Sequence, residues 1–147
     1  MATEYPIVKL AVTLTPVFDK TTPDVLISVP GQIIRKTLSN TQRFELEFAA
    51  PWGWLEVVFL NKPELDNSMS VSIDAVEFFG ISDPKFAWQG VYTPRYPEPW
   101  YSEQLIKPEK ELPGATYLGW NGSWRLNFSV PVFTWIHQVQ GLGWIYQ

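Results

Sequence analysis

Arg43-Phe44-Glu45-Leu46-Glu47-Phe48 decides the fold. Phe44, Leu46 and Phe48 fall on one side of an extended chain, and Arg43, Glu45 and Glu47 on the other. A period of two with charge on one face is the mark of a half-buried strand. The same pattern recurs on both sides of this stretch. Val8, Leu10, Val12 and Leu14 alternate with Lys9, Ala11 and Thr13, and Val25, Ile27 and Val29 alternate before Pro30-Gly31 stops the chain. Ile33 to Lys36 reads as a short strand, and Pro51-Trp52-Gly53 as a turn. Trp54 to Leu60 is apolar at nearly every position and reads as a strand covered on both faces. Asn61 to Ser68 reads as a hairpin-like loop. Val71, Ile73 and Ala75 alternate until the phase shifts at Val76 and Phe78, which predicts a β-bulge.

Further on, Asn121-Gly122 favours a tight hairpin turn. Trp124, Leu126, Phe128 and Val130 alternate, then Phe133, Trp135 and His137, and Trp144-Ile145-Tyr146 closes the chain. No 3.6-residue apolar period persists long enough for a helix of ten or more residues. Eight or so strands separated by turn signals predict an all-β chain, an antiparallel β-sandwich or jelly roll. The 147 residues fit a single domain spanning 1–147.

One segment breaks the pattern. Residues 84–113 hold six prolines: Pro84, Pro94, Pro97, Pro99, Pro108 and Pro113. Inside it, Trp88 to Tyr101 reads Trp-Gln-Gly-Val-Tyr-Thr-Pro-Arg-Tyr-Pro-Glu-Pro-Trp-Tyr. Proline fixes φ and donates no backbone hydrogen bond, so neither helix nor central strand is expected there. Rings at this density do not float free in water. The expectation is a long Pro/aromatic-rich loop or arm, packed on the body or offered to a partner.

Composition excludes several classes. Hydrophobic residues make up 46% and charged residues 18%, which is not the composition of a disordered chain. The net charge is −4 and no basic run exceeds Arg35-Lys36, so no nucleic-acid footprint is present. With no cysteine there is no disulfide scaffold, thiolate metal site or Cys nucleophile. The first residues, Met-Ala-Thr-Glu-Tyr-Pro, have neither a basic n-region nor an apolar h-region, so no signal peptide is expected. No apolar run approaches the ~20 residues of a bilayer span, so no membrane insertion is expected.

The search for catalysis finds little. Glu45 and Glu47 share a strand face about 7 Å apart, a spacing that overlaps an inverting glycosidase pair. Their alternation with core residues makes them a solvated face. His137 is the single histidine, has no nucleophile-elbow sequence near it, and reads as structural. Asp66, Asn67 and Asp74 are a conceivable calcium set, but their spacing matches no EF-hand loop and a plain turn is the simpler reading. No catalytic, cofactor-binding or metal residue is assigned, and no enzyme is expected.

The aromatics carry the strongest signal: eight Trp among 16% aromatic residues. Sugars present apolar C–H faces that stack on Trp and Tyr beside polar donors. The same rings serve equally as core or as interface anchors, where Trp, Tyr and Arg are enriched. The candidate contact residues for a partner or glycan are Trp88, Tyr92, Arg95, Tyr96, Trp100, Tyr101, Trp120 and Asn121, with Trp52 and Trp54 as further stacking candidates.

Three stretches carry a resemblance. They are Leu55 to Lys62 with Val71 to Ile81, Gly90 to Gln104, and Tyr117 to Trp124 with Val130 to His137 and Leu142 to Tyr146. Together they resemble small virion proteins of tailed bacteriophages, of the T4-like marine and cyanobacterial type. Those proteins carry a β-sandwich similar to carbohydrate-binding modules. The resemblance implies a non-enzymatic, multi-copy component of head decoration, neck, tail or fibre, made in the host cytoplasm. It would contact other virion proteins or copies of itself and need no cofactor. The alternative is a carbohydrate-binding module that mediates adhesion to a host surface, with a glycan as partner.

Overall fold

The computed structural model of the protein describes residues 5–63 and 68–141. In chain order the elements are β1 (Ile7–Val17), β2 (Asp24–Val29), β3 (Gln32–Thr37), β4 (Gln42–Ala49), β5 (Trp52–Phe59), β6 (Ser70–Phe78), β7 (Ile81–Ser82), α1 (Pro84–Trp88), β8 (Val91–Pro94), α2 (Trp100–Glu103), β9 (Leu112–Pro113), β10 (Tyr117–Leu118), β11 (Gly122–Ser129) and α3 (Val132–Gln140). They form two antiparallel sheets. One has the order β10-β6-β1-β4, with β7 also paired to β6; the other has the order β3-β2-β5-β11-β8-β9. This is the expected all-β sandwich.

The alternating residues account for the packing. Leu46 and Phe48 of β4 are buried while Glu45 and Glu47 face water. Val8, Leu10, Val12 and Leu14 of β1 are buried with Val71, Val76 and Phe78 of β6. From the other sheet, Val25, Ile27, Leu55, Val57, Phe59, Trp124 and Leu126 fill the same core. Each such side chain contributes about 1.5–3 kcal/mol over leaving it exposed. The phase shift in β6 is real. The β1–β6 register passes from Thr13↔Ala75 to Leu14↔Ile73, so Asp74 is the extra residue of a bulge. Pro30 and Gly31 join β2 to β3, with Gly31 at φ +80, as a two-residue turn with a positive third φ requires.

Several expectations are corrected. The strand β5 starts at Trp52, so the turn before it is only Ala50-Pro51. On β5, Leu55, Val57 and Phe59 are buried, whereas Trp54, Glu56 and Val58 are half-buried, so only one face is fully covered. The loop after β5 is no hairpin: it carries the chain from one sheet to the other. The same is true of Asn121-Gly122, which joins β10 of one sheet to β11 of the other.

Phe133, Trp135 and His137 lie on a helix, α3, not a strand. Its buried residues Val132, Trp135 and Ile136, with half-buried Val139, follow the i, i+3, i+4, i+7 pattern of one helix face. Gly141, at φ 75, ends it in the left-handed conformation. The helices α1 and α3 pack together, α1 against β6 and α3 against β11. Trp135 lies 5.3 Å from Phe78, 5.4 Å from Phe86 of α1 and 5.9 Å from Phe128, ring centre to ring centre. The Asp83 carboxylate caps α1 by accepting from the Lys85 N–H at 2.9 Å, and accepts from Gln140 Nε2 at 3.0 Å. Those two bonds, the Lys85 N–H first, hold its pKa below the usual carboxylate range.

The segment 84–113 is more structured than an arm. It contains α1, β8, α2 and β9, and β8 is an interior strand between β11 and β9. Proline permits this by position: Pro84 starts α1 and Pro94 ends β8. Asp66, Asn67 and the closing Trp144-Ile145-Tyr146 lie outside the described residues.

Candidate functional site

Three chain segments converge where β5 and β8 end and β11 begins. Gly122 stands opposite both Phe59 of β5 and Pro94 of β8, so residues 60–63, 95–103 and 119–121 emerge side by side. Gly122 has φ +148, and a Cβ on it would come within 2.4 Å of the Thr93 carbonyl oxygen. Only glycine lets β11 start this close to β8.

Hydrogen bonds tie the three segments together. The Asn121 side chain accepts from the Lys62 N–H at 2.7 Å and donates to the Lys62 carbonyl at 2.8 Å. The Arg95 N–H donates to the Asn121 carbonyl at 2.7 Å. Tyr92 points inward from β8 and is buried. Its hydroxyl donates to the Trp120 carbonyl and accepts from the Trp120 N–H. Burial pushes its phenol well above the usual tyrosine range, against the pull of the Trp120 bond.

On this frame sits a ring cluster. Trp100 is 5.0 Å from Trp120 and 5.7 Å from Tyr96. Tyr96 stacks on Tyr101 at 5.6 Å and meets Trp120 edge-on at 6.1 Å. The Tyr96 hydroxyl donates to the Glu109 carbonyl at 2.7 Å, and burial is the first cause of its raised pKa. The Lys62 ammonium lies 3.9 Å from the centre of the Trp120 ring. Lys107 donates to the carbonyls of Tyr101, Ser102 and Gln104 at 2.9, 2.8 and 3.0 Å, closing the end of α2. A groove of about 410 Å³ opens beside the cluster, lined among others by Lys62, Arg95, Tyr96, Glu98 and Trp120. Rings with one apolar face, charged groups and amides at the rim can grip a flat, hydroxyl-rich ligand by stacking and hydrogen bonds.

Of the residues singled out from sequence, Arg95, Tyr96, Trp100, Tyr101, Trp120 and Asn121 come together here. Tyr92 supports them from the core. Trp88 is exposed at the end of α1 and is not part of the ring cluster. Asn121 spends both ends of its amide on Lys62. Lys62 and Glu98 carried no sequence signal: Lys62 meets Asn121 across 59 positions of chain. Trp52 and Trp54 stand on the outer face of the β5-containing sheet. There the Arg125 guanidinium lies 4.7 Å from the Trp54 ring centre.

Other candidates take their places. Glu45 and Glu47 are exposed, and Arg43 pairs with Glu45 and, at 2.8 Å, with Glu77. His137 is half-buried on α3. Among the described residues no three His, Cys, Asp or Glu side chains are grouped to hold a metal. Asp74, the described member of the calcium set, accepts from the Thr15 hydroxyl.

The fold belongs to the class of β-sandwiches seen in carbohydrate-binding modules. The chain superposes on the solved structure of vCBM60, described among two families of calcium-dependent carbohydrate-binding modules linked by circular permutation, with a TM-score of 0.53 over 81% of this chain and 89% of that one. Identity is 17%, so the likeness is one of fold. No family model matches the chain. No curated protein matches it in sequence.

Proposed function

We propose that the protein is a carbohydrate-binding module whose ligand rests on the ring cluster of Tyr96, Trp100, Tyr101 and Trp120. The observation that carries this reading is the groove itself: a 410 Å³ opening lined by Tyr96 and Trp120, which pack on Tyr101 and Trp100, with Arg95, Glu98 and the largely buried Lys62 beside them. A pyranose would lay its C–H face on the half-buried Trp120 or Tyr96. Its hydroxyls would donate to the Glu98 carboxylate and accept from the Arg95 guanidinium. The two-way bonds from Tyr92 to Trp120 and from Asn121 to Lys62 hold the platform before the ligand arrives, which lowers the ordering cost of binding. The likeness to vCBM60 supports the reading at the level of fold. No step of this mode runs through a metal. The mode is recognition without turnover.

The test is a glycan array followed by isothermal titration with the glycans that bind. Trp120→Ala and Tyr96→Ala should each weaken binding at least about tenfold, or ~1.4 kcal/mol. Binding untouched by both changes would remove the site.

A second reading places the chain in a tailed-phage virion as a multi-copy structural component. One observation favours a protein contact of this kind: Leu105 and Ile106 are fully exposed at the tip that follows α2. Cross-linking from that tip in an intact particle tests it. A tip that labels freely in the particle would count against it.

A further inference from the structure

The groove beside Trp120 does not end at the ring cluster. It shares Leu60 and Arg95 with a second depression of about 440 Å³. That depression shares Thr93 and Ser123 with a third of about 340 Å³, which reaches Arg125 and Asn127. The three lie in a row over the outer face of β8 and β11 and share residues at each join, an arrangement we read as one trough. The five steps from Gly122 to Asn127 alone cover roughly 17 Å at strand rise, before the ring cluster is added.

The far end is held in place. Arg125 lies over Trp54 at 4.7 Å, donates from Nε to Asn127 Oδ1 at 3.0 Å, and has Nη1 3.8 Å from the Glu56 carboxylate. An arginine held on three sides offers its remaining N–H groups at this end at little ordering cost. Between the two ends the lining includes the small hydroxyl side chains of Thr93 and Ser123. The lining carries Lys62, Arg95 and Arg125 against Glu56, Glu98 and Glu111, so its charges balance.

We infer that the ligand is an internal stretch of an uncharged linear polysaccharide, lying along this trough across several sugar units rather than entering the ring cluster as a chain end. A trough open along the sheet admits a continuous chain. Balanced charge gives no net attraction for a polyanion, whereas alternating donors and acceptors suit hydroxyl groups. This rests on the carbohydrate-binding reading above and specifies its ligand.

The experiment is isothermal titration of the full chain with oligosaccharides of one to six units from xylan, mannan and cellulose, and with polygalacturonate as the charged comparison. Two variants accompany it: Arg125→Ala, which empties the far end, and Thr93→Trp, an exposed change that blocks the middle. Circular dichroism confirms that both are folded. The expected result is affinity for one neutral series that rises at least tenfold between two and six units. Thr93→Trp and Arg125→Ala should cancel that rise and leave the two-unit ligand unchanged. Affinity that is constant with length and insensitive to both variants, yet lost in Trp120→Ala, overturns the trough while the carbohydrate reading stands. Preference for polygalacturonate overturns the uncharged ligand. No binding of any of these sugars overturns both readings.

Discussion

Asn121 and Lys62 hold each other by two hydrogen bonds, at 2.7 and 2.8 Å, between one side-chain amide and the backbone N–H and C=O of one residue. The pair joins the exit of β5 to the entry of β11, and the Arg95 N–H adds the exit of β8 through the Asn121 carbonyl. Replacing Asn121 by Ala removes both part-buried bonds to Lys62, at a cost of about 1–3 kcal/mol. Asn121→Asp should cost as much, because an oxygen would then face the Lys62 carbonyl. Urea denaturation of the two variants measures this.

Tyr92→Phe removes the hydroxyl that serves both the N–H and the carbonyl of Trp120. The expected loss is again about 1–3 kcal/mol, with weaker glycan binding because Trp120 is less well held.

The same phenol gives an alkaline signature. Its folded pKa is raised by burial, so between the ordinary tyrosine value near 10.0 and the raised value the unfolded chain has released the proton and the folded chain has not. The folded state binds more protons there, so this contribution is fully present below the ordinary value near 10.0 and is lost as pH climbs through the window. Denaturation midpoints from pH 8 to pH 11 should fall at the top of that range, and less steeply in Tyr92→Phe.

The helix α3 makes a contrast that a strand would not. On a strand Phe133 and Trp135 share a face; on α3 Trp135 is buried among Phe78, Phe86 and Phe128 while Phe133 is half exposed and stacks on Phe79 at 5.0 Å. Trp135→Ala should cost about 3–5 kcal/mol, and Phe133→Ala about 1 kcal/mol. Equal losses would contradict the helix.

Two glycines are fixed by the space around them. A Cβ on Gly90 would come within 2.3 Å of the Trp124 ring, and one on Gly53 within 2.1 Å of Phe128. Both rings are buried, so Gly90→Ala and Gly53→Ala should each cost about 1–3 kcal/mol by overpacking. Thermal melts of the two variants measure this.

The sandwich was legible because its signal is local. Phe44, Leu46 and Phe48 declare their face within six residues, and the shift before Val76 marks the bulge at Asp74 without knowledge of the partner strand. The helix α3 was not legible: over nine residues its helical period is too short to stand out, and Phe133, Trp135 and His137 imitate a strand. Asn121-Gly122 has the composition of a hairpin turn, but the close approach of Thr93 is what requires the glycine. Most of the ring cluster was visible as aromatics in sequence. Lys62, Glu98 and the pairing of Trp54 with Arg125 were not, because strand pairing and folding bring these groups together from separate parts of the chain.

On the proposed reading, the Tyr96–Trp100–Trp120 surface binds carbohydrate. Isothermal titration of the full chain with soluble xylan, mannan and cellulose oligosaccharides, run beside Trp120→Ala, tests it most directly. Saturable binding to at least one series, weakened tenfold or more in the variant, is the predicted result. Absence of binding to all of them, or binding that Trp120→Ala leaves unchanged, would contradict it.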